Sequence, residues 1–86
     1  MRVLAYERFR KSYRHLPSFI QRKIDKQLAL LTENPRHPSL QVKRIKGTTN
    51  LWEARVDLHY RMSFEMVGDT LHLRVVGHHD EVLQHP

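Results

Sequence analysis

The residues of this chain best suited to acid–base chemistry lie in the run His78-His79-Asp80. Because an unperturbed imidazole titrates near pH 6.5, a histidine can donate or accept a proton at neutral pH. The carboxylate of Asp80 could orient one of the two imidazoles. The same run is also typical of a polar turn that has no chemical task, and taken alone it favours that second interpretation.

Two arginines and a glutamate form a second set of candidates. Arg55 and Arg61 carry planar, permanently charged guanidinium groups, which suit bidentate contact with a phosphodiester. Cleavage of RNA without a metal needs a base for the 2′-OH proton, an acid for the departing 5′ oxygen and cations near the phosphorus. Glu53 lies beside the arginines. The set predicts a phosphate-binding surface, or equally a solvated strand face with weak ion pairs.

The overall charge favours a polyanionic or acidic partner. The 86 residues include 15 Lys and Arg against 9 Asp and Glu, which gives a formal net charge of +6. Such a field attracts nucleic acid or an acidic protein and raises the encounter rate. The chain has no cysteine and no H-E-x-x-H motif, so we expect neither a disulfide nor a metal site, and no cofactor. Without a signal peptide or a long apolar run, we expect a cytoplasmic protein.

The first 34 residues predict a strand and two helices. Residues 2–6 are typical of a short strand. Apolar residues then recur at helical spacing in two segments on either side of Pro17, which suits the first turn of the second helix. The second helix should end near residues 32–34, because Pro35 excludes the helical conformation from the residue before it. The apolar positions that predict the helices are Phe9, Tyr13, Leu16, Ile20, Ile24, Leu28 and Leu31.

From residue 40 the apolar period changes to two, which predicts strands. Four runs are separated by turn residues: 40–45, 51–56, 60–67 and 70–76. Gly68-Asp69 is short enough for a two-residue hairpin turn, so the runs predict an antiparallel meander. Gly77 should end the sheet, and Asp80 could cap a last helical turn over residues 80–84.

These elements predict one α+β domain over residues 1–86. An N-terminal helical hairpin should pack on a four-stranded antiparallel sheet that has a short N-terminal edge strand. Alternation places one set of side chains towards the helices: Trp52, Ala54, Val56, Tyr60, Met62, Phe64 and Met66. The opposite face should be open and polar, and should carry Glu53, Arg55, Arg61, Ser63 and Glu65.

The order and spacing of four segments resemble toxins of the RelE/ParE superfamily from bacterial toxin–antitoxin modules. These segments are K-R-I-K-G, L-W-E-A-R-V, H-Y-R-M-S-F and V-G-H-H-D-E-V, and the resemblance covers nearly the whole chain. It implies a RelE-like microbial RNase fold and a ribosome-dependent, metal-independent endoribonuclease that cuts mRNA and inhibits translation. It also implies a cognate antitoxin as partner, beside the ribosome and mRNA.

The resemblance assigns roles to several of the candidates. Arg61 matches the family's phosphate-stabilising arginine, Arg55 the basic residue opposite it, and His79 the general acid, at a position where YafQ-type toxins have a histidine. Two departures leave the base open. Arg44 lies where YoeB-type toxins have a glutamate base, and Glu53 lies where RelE has a lysine.

The remaining candidates divide into bases and RNA-binding cations. The base could be Glu53, His78 or Asp80, and the sequence does not choose between them. The expected RNA-binding residues are Lys43, Arg44, Lys46 and Arg74.

Two other functions stay open. A ParE-like toxin would share the fold and the basic charge but would inhibit DNA gyrase without catalysis. A third possibility is a toxin fold that has lost activity and persists as a binding protein. The histidines beside Arg55 and Arg61 favour the ribonuclease, because a protein-binding inhibitor needs no proton-transfer group.

Overall fold

Five strands form one sheet in the computed structural model, which describes all of residues 1–86. The strands are β1 (Arg2–Ala5), β2 (Lys43–Arg44), β3 (Trp52–Arg55), β4 (Tyr60–Val67) and β5 (Thr70–His78). Their order across the sheet is β1-β5-β4-β3-β2. β1 runs parallel to β5, and every other pair is antiparallel. The predicted α+β fold, with four antiparallel strands and a short N-terminal edge strand, is confirmed.

Three helices accompany the sheet: α1 (Glu7–Arg14), α2 (Ser18–Glu33) and α3 (His79–Gln84). α2 begins directly after Pro17. Because proline has no backbone N–H, no donor is left unpaired at this position. Two hydrogen bonds join α1 to α2. The Tyr13 hydroxyl donates to the Asp25 carboxylate at 2.7 Å, and the Gln21 side-chain amide donates to the Tyr13 backbone carbonyl at 2.8 Å. None of the helices is long and apolar enough to cross a membrane.

The main core lies between the helices and one face of the sheet. Ala54 and Met62 are Cα partners on β3 and β4, and neither is exposed to solvent. This confirms the predicted apolar face. The twelve residues of the core cluster are Phe9, Ile20, Ile24, Leu31, Leu40, Ala54, Val56, Met62, Phe64, Leu71, Leu73 and Val76.

The strand predicted over residues 40–45 is much shorter in the structure. Leu40 belongs to a 3-10 turn, Pro38–Leu40, and Gln41 has a left-handed φ of 44°. A left-handed residue cannot continue an extended chain, so β2 keeps only Lys43–Arg44. The prediction was wrong here because Leu40 fits the alternating apolar pattern of a strand, whereas in the structure it is buried as part of a turn.

The end of β5 also differs from the prediction. Gly77 does not end the sheet, because it pairs with Arg61, and His78 pairs with Tyr60. β4 is long enough to hold both residues in the ladder. α3 therefore begins at His79 rather than Asp80, and the residue before it, His78, makes no side-chain capping bond. The predicted cap at Asp80 is wrong.

Candidate active site

The face of the sheet opposite the main core carries the predicted polar side chains. Glu53 and Ser63 are Cα partners on β3 and β4, and so are Arg55 and Arg61. Because side chains alternate along a strand, Glu53 and Arg55 share one face, and their partners share it with them. The two arginines therefore lie directly opposite each other, as the family resemblance implies.

This face is not open, because α3 packs on it. Val82 of α3 is 1% exposed, and its Cγ2 lies 3.8 Å from where a Cβ on Gly77 would be. Ser63 is fully buried, and Glu53 is 3% exposed. The expectation of a solvated strand face is wrong here. α3 has an apolar side that needs burial, and the absent side chain at Gly77 lets the helix approach the sheet.

Arg61 is held by protein groups rather than directed to solvent. Its Nη1 donates to two carbonyl oxygens of the loop between β3 and β4, at 2.6 Å to Asp57 and 3.4 Å to Leu58, and to that of Tyr60, the first residue of β4, at 3.0 Å. Its Nε lies 3.6 Å from the Glu53 carboxylate, and the two side chains are 12% and 4% exposed. The expectation that Arg61 lies exposed is wrong, because the loop turns its carbonyls towards the guanidinium group.

Arg55 differs from its partner across the sheet. Its side chain is half-buried and takes part in none of the ion pairs or side-chain hydrogen bonds. Its backbone carbonyl accepts a bond from the Gln27 amide at 3.0 Å. Beside the engaged Arg61, Arg55 thus supplies a guanidinium group that remains available to a ligand.

The loop between β3 and β4 is fixed by Asp57. Its carboxylate accepts the backbone N–H groups of His59 at 2.9 Å and Tyr60 at 3.0 Å, and Lys23 of α2 lies 3.1 Å away. Partial burial raises the pKa of Asp57, but these three donors together lower it below the ordinary value. In the sequence, Asp57 is one of the residues between the predicted strands 51–56 and 60–67. An aspartate that begins a turn commonly accepts amide bonds from the next two or three residues, and that signal predicts its role.

His79 connects α3 to the same loop. Its backbone N–H donates to the His59 carbonyl at 2.8 Å. Its ring Nδ1 lies 3.1 Å from an oxygen of Asp80, with the histidine side chain 40% exposed and the aspartate 87% exposed. The expected pairing of an accessible imidazole with an orienting carboxylate is therefore present.

His78 lies apart from the arginines. It is the last residue of β5 and pairs with Tyr60, whereas Gly77 pairs with Arg61, so strand alternation puts His78 on the opposite face. Its ring packs against two aromatic rings, with centroids 5.1 Å from Tyr60 and 6.0 Å from His59. The structure does not bring His78 to the face that carries Arg61.

A basic cavity of about 380 Å³ opens beside Glu53 at the β2 edge. Lys43 is the Cα partner of Glu53, and it is exposed, as are Arg44 and Lys46. The structure thus places three of the four expected RNA-binding cations around one buried carboxylate. The six residues that line the cavity are Lys43, Arg44, Ile45, Lys46, Glu53 and Leu83.

Arg74 is not part of this group. The register shift between Ser63 and Phe64 leaves it without a partner on β4. Its guanidinium group lies 3.5 Å from Glu65 and 5.5 Å from the centre of the Tyr6 ring, and it donates to the Pro86 carbonyl at 3.2 Å. These neighbours occupy Arg74 outside the cavity.

Comparison with known proteins identifies the family. No family model matches the sequence. The toxin RelE3 of Methanocaldococcus jannaschii is 32% identical over 88 residues, which cover 95% of this chain and 94% of that protein. The chain belongs to the RelE toxin family.

Solved structures agree with this assignment. The RelB-RelE antitoxin–toxin complex from Methanococcus jannaschii has a TM-score of 0.75 at 27% identity, and the match covers 96% of this chain and 99% of that one. YafQ from E. coli has a TM-score of 0.74 over 95% of this chain and 98% of its own. Its identity of 15% shows a shared fold alone. The resemblance inferred from the sequence is confirmed.

Two groups of residues make up the candidate site of this RelE-family protein. Glu53 and Arg61 are in contact, with Arg55 opposite, and the basic cavity surrounds the carboxylate. His79 joins them through the loop whose carbonyls hold Arg61. Such a set can bind a phosphate, accept a proton and donate one. No three histidine, aspartate or glutamate side chains converge where they could hold a metal ion.

Proposed function

We propose that this RelE-family chain is the toxin of a type II toxin–antitoxin module and cleaves mRNA on the ribosome without a metal. The observation that carries the proposal is the buried carboxylate of Glu53, which lines a cavity together with Lys43, Arg44 and Lys46. Three cations would draw the RNA backbone towards a group that can accept a proton.

Arg55 is the residue we assign to the scissile phosphate. Its guanidinium group has no protein partner and lies directly across from Arg61, so it can stabilise charge that builds on the phosphate oxygens. Arg61 acts differently, as a positioning residue. It fixes the Glu53 carboxylate on one side and the loop that carries the His59 carbonyl on the other.

The proton acceptor we propose is Glu53. Of the other two candidates, His78 is on the opposite face, and the carboxylate of Asp80 is 87% exposed and bonded to His79. Glu53 takes the proton of the 2′-OH as that oxygen attacks phosphorus. The bond from phosphorus to the 5′ oxygen breaks, which leaves a 2′,3′-cyclic phosphate on one fragment.

His79 is the proposed acid, and it donates its proton to the departing 5′ oxygen. Asp80, 3.1 Å from its Nδ1, orients the ring. This arrangement would leave Nε2 to face the substrate. The cleavage therefore needs no water and no metal in its first step, and produces a 5′-OH end.

The partner we propose is an antitoxin protein. The RelE structure from Methanococcus jannaschii is that of a RelB-RelE antitoxin–toxin complex, and 96% of this chain matches it. The net charge of +6 supports an acidic partner.

The test is to induce the wild type, Glu53→Gln and His79→Ala in bacteria and to map the 5′ ends of cellular mRNA. Two exposed residues of the same types provide matched controls, Glu33→Gln and His15→Ala. We expect codon-phased cuts with the wild type and both controls, and at least about a hundredfold fewer with the two site variants.

Other outcomes identify the alternatives. DNA damage without mRNA cuts would instead support inhibition of gyrase. No growth effect from the wild type would support a toxin fold that has lost its activity. Cleavage by the purified chain without ribosomes, at the rate seen with them, would contradict the ribosome dependence.

A further inference from the structure

Three aromatic side chains lie together at the end of the sheet where β4 begins and β5 ends. The imidazoles of His59 and His78 are stacked, with centroids 6.0 Å apart and planes inclined by 27°. The ring of Tyr60 lies 5.1 Å from that of His78. Both histidines are exposed, whereas Tyr60 is half-buried and packs against the core. We call His59, Tyr60 and His78 the aromatic rim.

The two imidazoles of the aromatic rim have no hydrogen-bond partner within the protein. Four of the seven histidines do have a ring nitrogen in such a bond: His15, His37, His72 and His79. The rings of His59 and His78 contact only other aromatic rings. An exposed ring of this kind offers a flat face on which a nucleobase can stack.

The aromatic rim is joined to the candidate site through the loop between β3 and β4. The His59 carbonyl accepts the backbone N–H of His79 at 2.8 Å, and His78 directly precedes His79 in the chain. Arg61 donates to the Asp57 carbonyl of the same loop at 2.6 Å. The rim therefore adjoins the proposed proton donor, at the end of the sheet where its two faces meet.

The proposed catalytic roles give the bound RNA a direction. The 2′-OH that Glu53 deprotonates belongs to the nucleotide on the 5′ side of the cut. The oxygen that His79 protonates belongs to the nucleotide on the 3′ side. The 5′ part of the RNA should therefore lie over the basic cavity, and the 3′ part should leave the site past His79 and reach the aromatic rim.

The charges near the aromatic rim favour a base over a phosphate. Two carboxylates lie close by, and both have partners. Asp57 accepts the amides of His59 and Tyr60 and pairs with Lys23, and Asp80 lies 3.1 Å from Nδ1 of His79. A phosphate would approach these carboxylates against repulsion, whereas an uncharged base would not. Stacking thus suits this surface better than an ionic contact.

We propose that the aromatic rim stacks a base of the RNA on the 3′ side of the scissile phosphate. The RNA bends over the loop between β3 and β4, and the base lies against the imidazole of His59 or His78. Such stacking accepts every base and modestly prefers purines, which have the larger face. The inference rests on the proposed function, because the catalytic roles set the direction of the RNA.

The first experiment detects the stacked base without any cleavage. The purified chain is titrated with a short 2′-O-methyl oligoadenylate, whose blocked 2′ oxygen cannot attack phosphorus, and with an abasic oligomer of the same backbone. In NMR spectra, the ring current of adenine should move the ring C–H signals of His59 and His78 upfield, and those of His15 should stay. Equal shifts with the abasic oligomer would show a phosphate contact and overturn the stacking.

Variants of the aromatic rim separate the ring from its charge. His59→Ala and His78→Ala should each weaken binding of the oligoadenylate at least about fivefold. His78→Phe should restore it, because phenylalanine keeps an aromatic face and carries no charge. His15→Ala is the matched control, since His15 is also an exposed histidine. A loss with His78→Phe equal to that with His78→Ala would overturn the stacking.

The second experiment tests the direction of the RNA on programmed ribosomes. One abasic nucleotide is placed on the 3′ or the 5′ side of the mapped cut in the mRNA. The double variant His59→Ala, His78→Ala should raise KM at least about tenfold on intact mRNA and leave kcat unchanged. On mRNA that is abasic on the 3′ side, the same variant should have no further effect. Coupling to the 5′ side instead, or to neither side, would overturn the assignment.

The failures of the two proposals differ. Ring-current shifts in a chain that cuts no mRNA would support the stacking, and would overturn both the ribonuclease and the 3′ assignment. Cleavage that is the same in the wild type and the double variant, together with unmoved signals of His59 and His78, would overturn the aromatic rim and leave the ribonuclease standing.

Discussion

The two faces of the sheet are both covered by helices, yet they differ in what the cover does. On one face α1 and α2 bury a cluster of twelve apolar residues. On the other face, α3 packs through Val82 and covers Ser63. Glu53 and Arg61 remain there as a charged pair beside an open cavity. Burial on the first face supplies stability. On the second face, partial burial keeps charged groups in fixed positions, which is what a catalytic site needs.

The largest expected effect belongs to the apolar face. Met62→Ala removes a side chain with no solvent exposure from the centre of the core, and we expect a loss of about 2 to 5 kcal/mol in the free energy of unfolding. Urea denaturation measures it. Ser63→Ala is the matched change on the other face, equally buried, with one long contact of 3.5 Å to the Val75 carbonyl. It should cost less than about 1 kcal/mol. Equal losses would contradict the difference between the faces.

The next effect separates the two arginines of the charged face. Arg61→Ala leaves Glu53 buried without its partner and removes the donor to three carbonyls, so we expect a loss of about 2 to 4 kcal/mol. Arg55→Ala breaks no side-chain bond and should cost less than about 1 kcal/mol. Urea denaturation of both variants provides the comparison.

In RNA cleavage, the arginine that matters little for stability, Arg55, should matter most. Arg55→Ala should lose at least about a hundredfold in cleavage rate although it stays folded, because it removes the group that we propose binds the phosphate. Arg61→Lys keeps a cation beside Glu53 but cannot span the loop carbonyls in the same geometry. Its hydrogen exchange at His79 should rise, since the loop that holds that amide loosens. A stable Arg61→Ala with normal exchange at His79 would contradict the positioning role.

Most of the fold follows from periodicity. α2 and β4 lie where the sequence predicts them. In α2 the apolar residues recur about every four positions over 11 residues or more, and in β4 they recur every two positions over eight residues. β5 is harder to assign. Leu71, Leu73 and Val76 all face the core, and a strict period of two cannot place all three on one face. The extra residue at Arg74 restores the alternation, and such a bulge leaves no clear signal in the sequence.

The sequence predicts that Glu53, Arg55, Arg61 and Ser63 share one strand face, as the structure has them, but not how exposed that face is. Strand alternation placed the polar residues on one face, and the family resemblance placed Arg55 opposite Arg61. The sequence could not show that α3 would cover that face, because two apolar residues, Val82 and Leu83, in a helix of six do not indicate which surface the helix packs against. It also could not show which arginine is engaged, since the acceptors of Arg61 are backbone carbonyls, which every residue has.

A smaller effect concerns the loop that joins β3 to β4. Asp57→Ala removes the acceptor for two amides and Lys23, and we expect a loss of about 1 to 2 kcal/mol at pH 7. The folded pKa of Asp57 is lowered, so its stabilisation is present above the pKa of the unfolded chain and is lost as pH falls through the folded value. The difference from the wild type should shrink below about pH 4. Asp57→Asn keeps one acceptor and should lie between the two; a difference that does not depend on pH would contradict the charged role.

The smallest effect compares a tyrosine from each side of the sheet. Tyr13 donates to Asp25 between α1 and α2, and Tyr6 donates to Glu65 on the charged face, both at 2.7 Å. Each hydrogen bond to a carboxylate raises the pKa of its phenol, and Arg74 beside Tyr6 opposes part of that increase. A raised folded pKa means that the stabilisation is complete below the unfolded value, about 10, and is lost as pH rises through the folded one. Absorbance titration should therefore show two phenols that ionise at higher pH in the native chain than in guanidinium, and Tyr6→Phe and Tyr13→Phe should each remove one. If neither variant removes a late-titrating phenol, the two carboxylate contacts do not persist in solution.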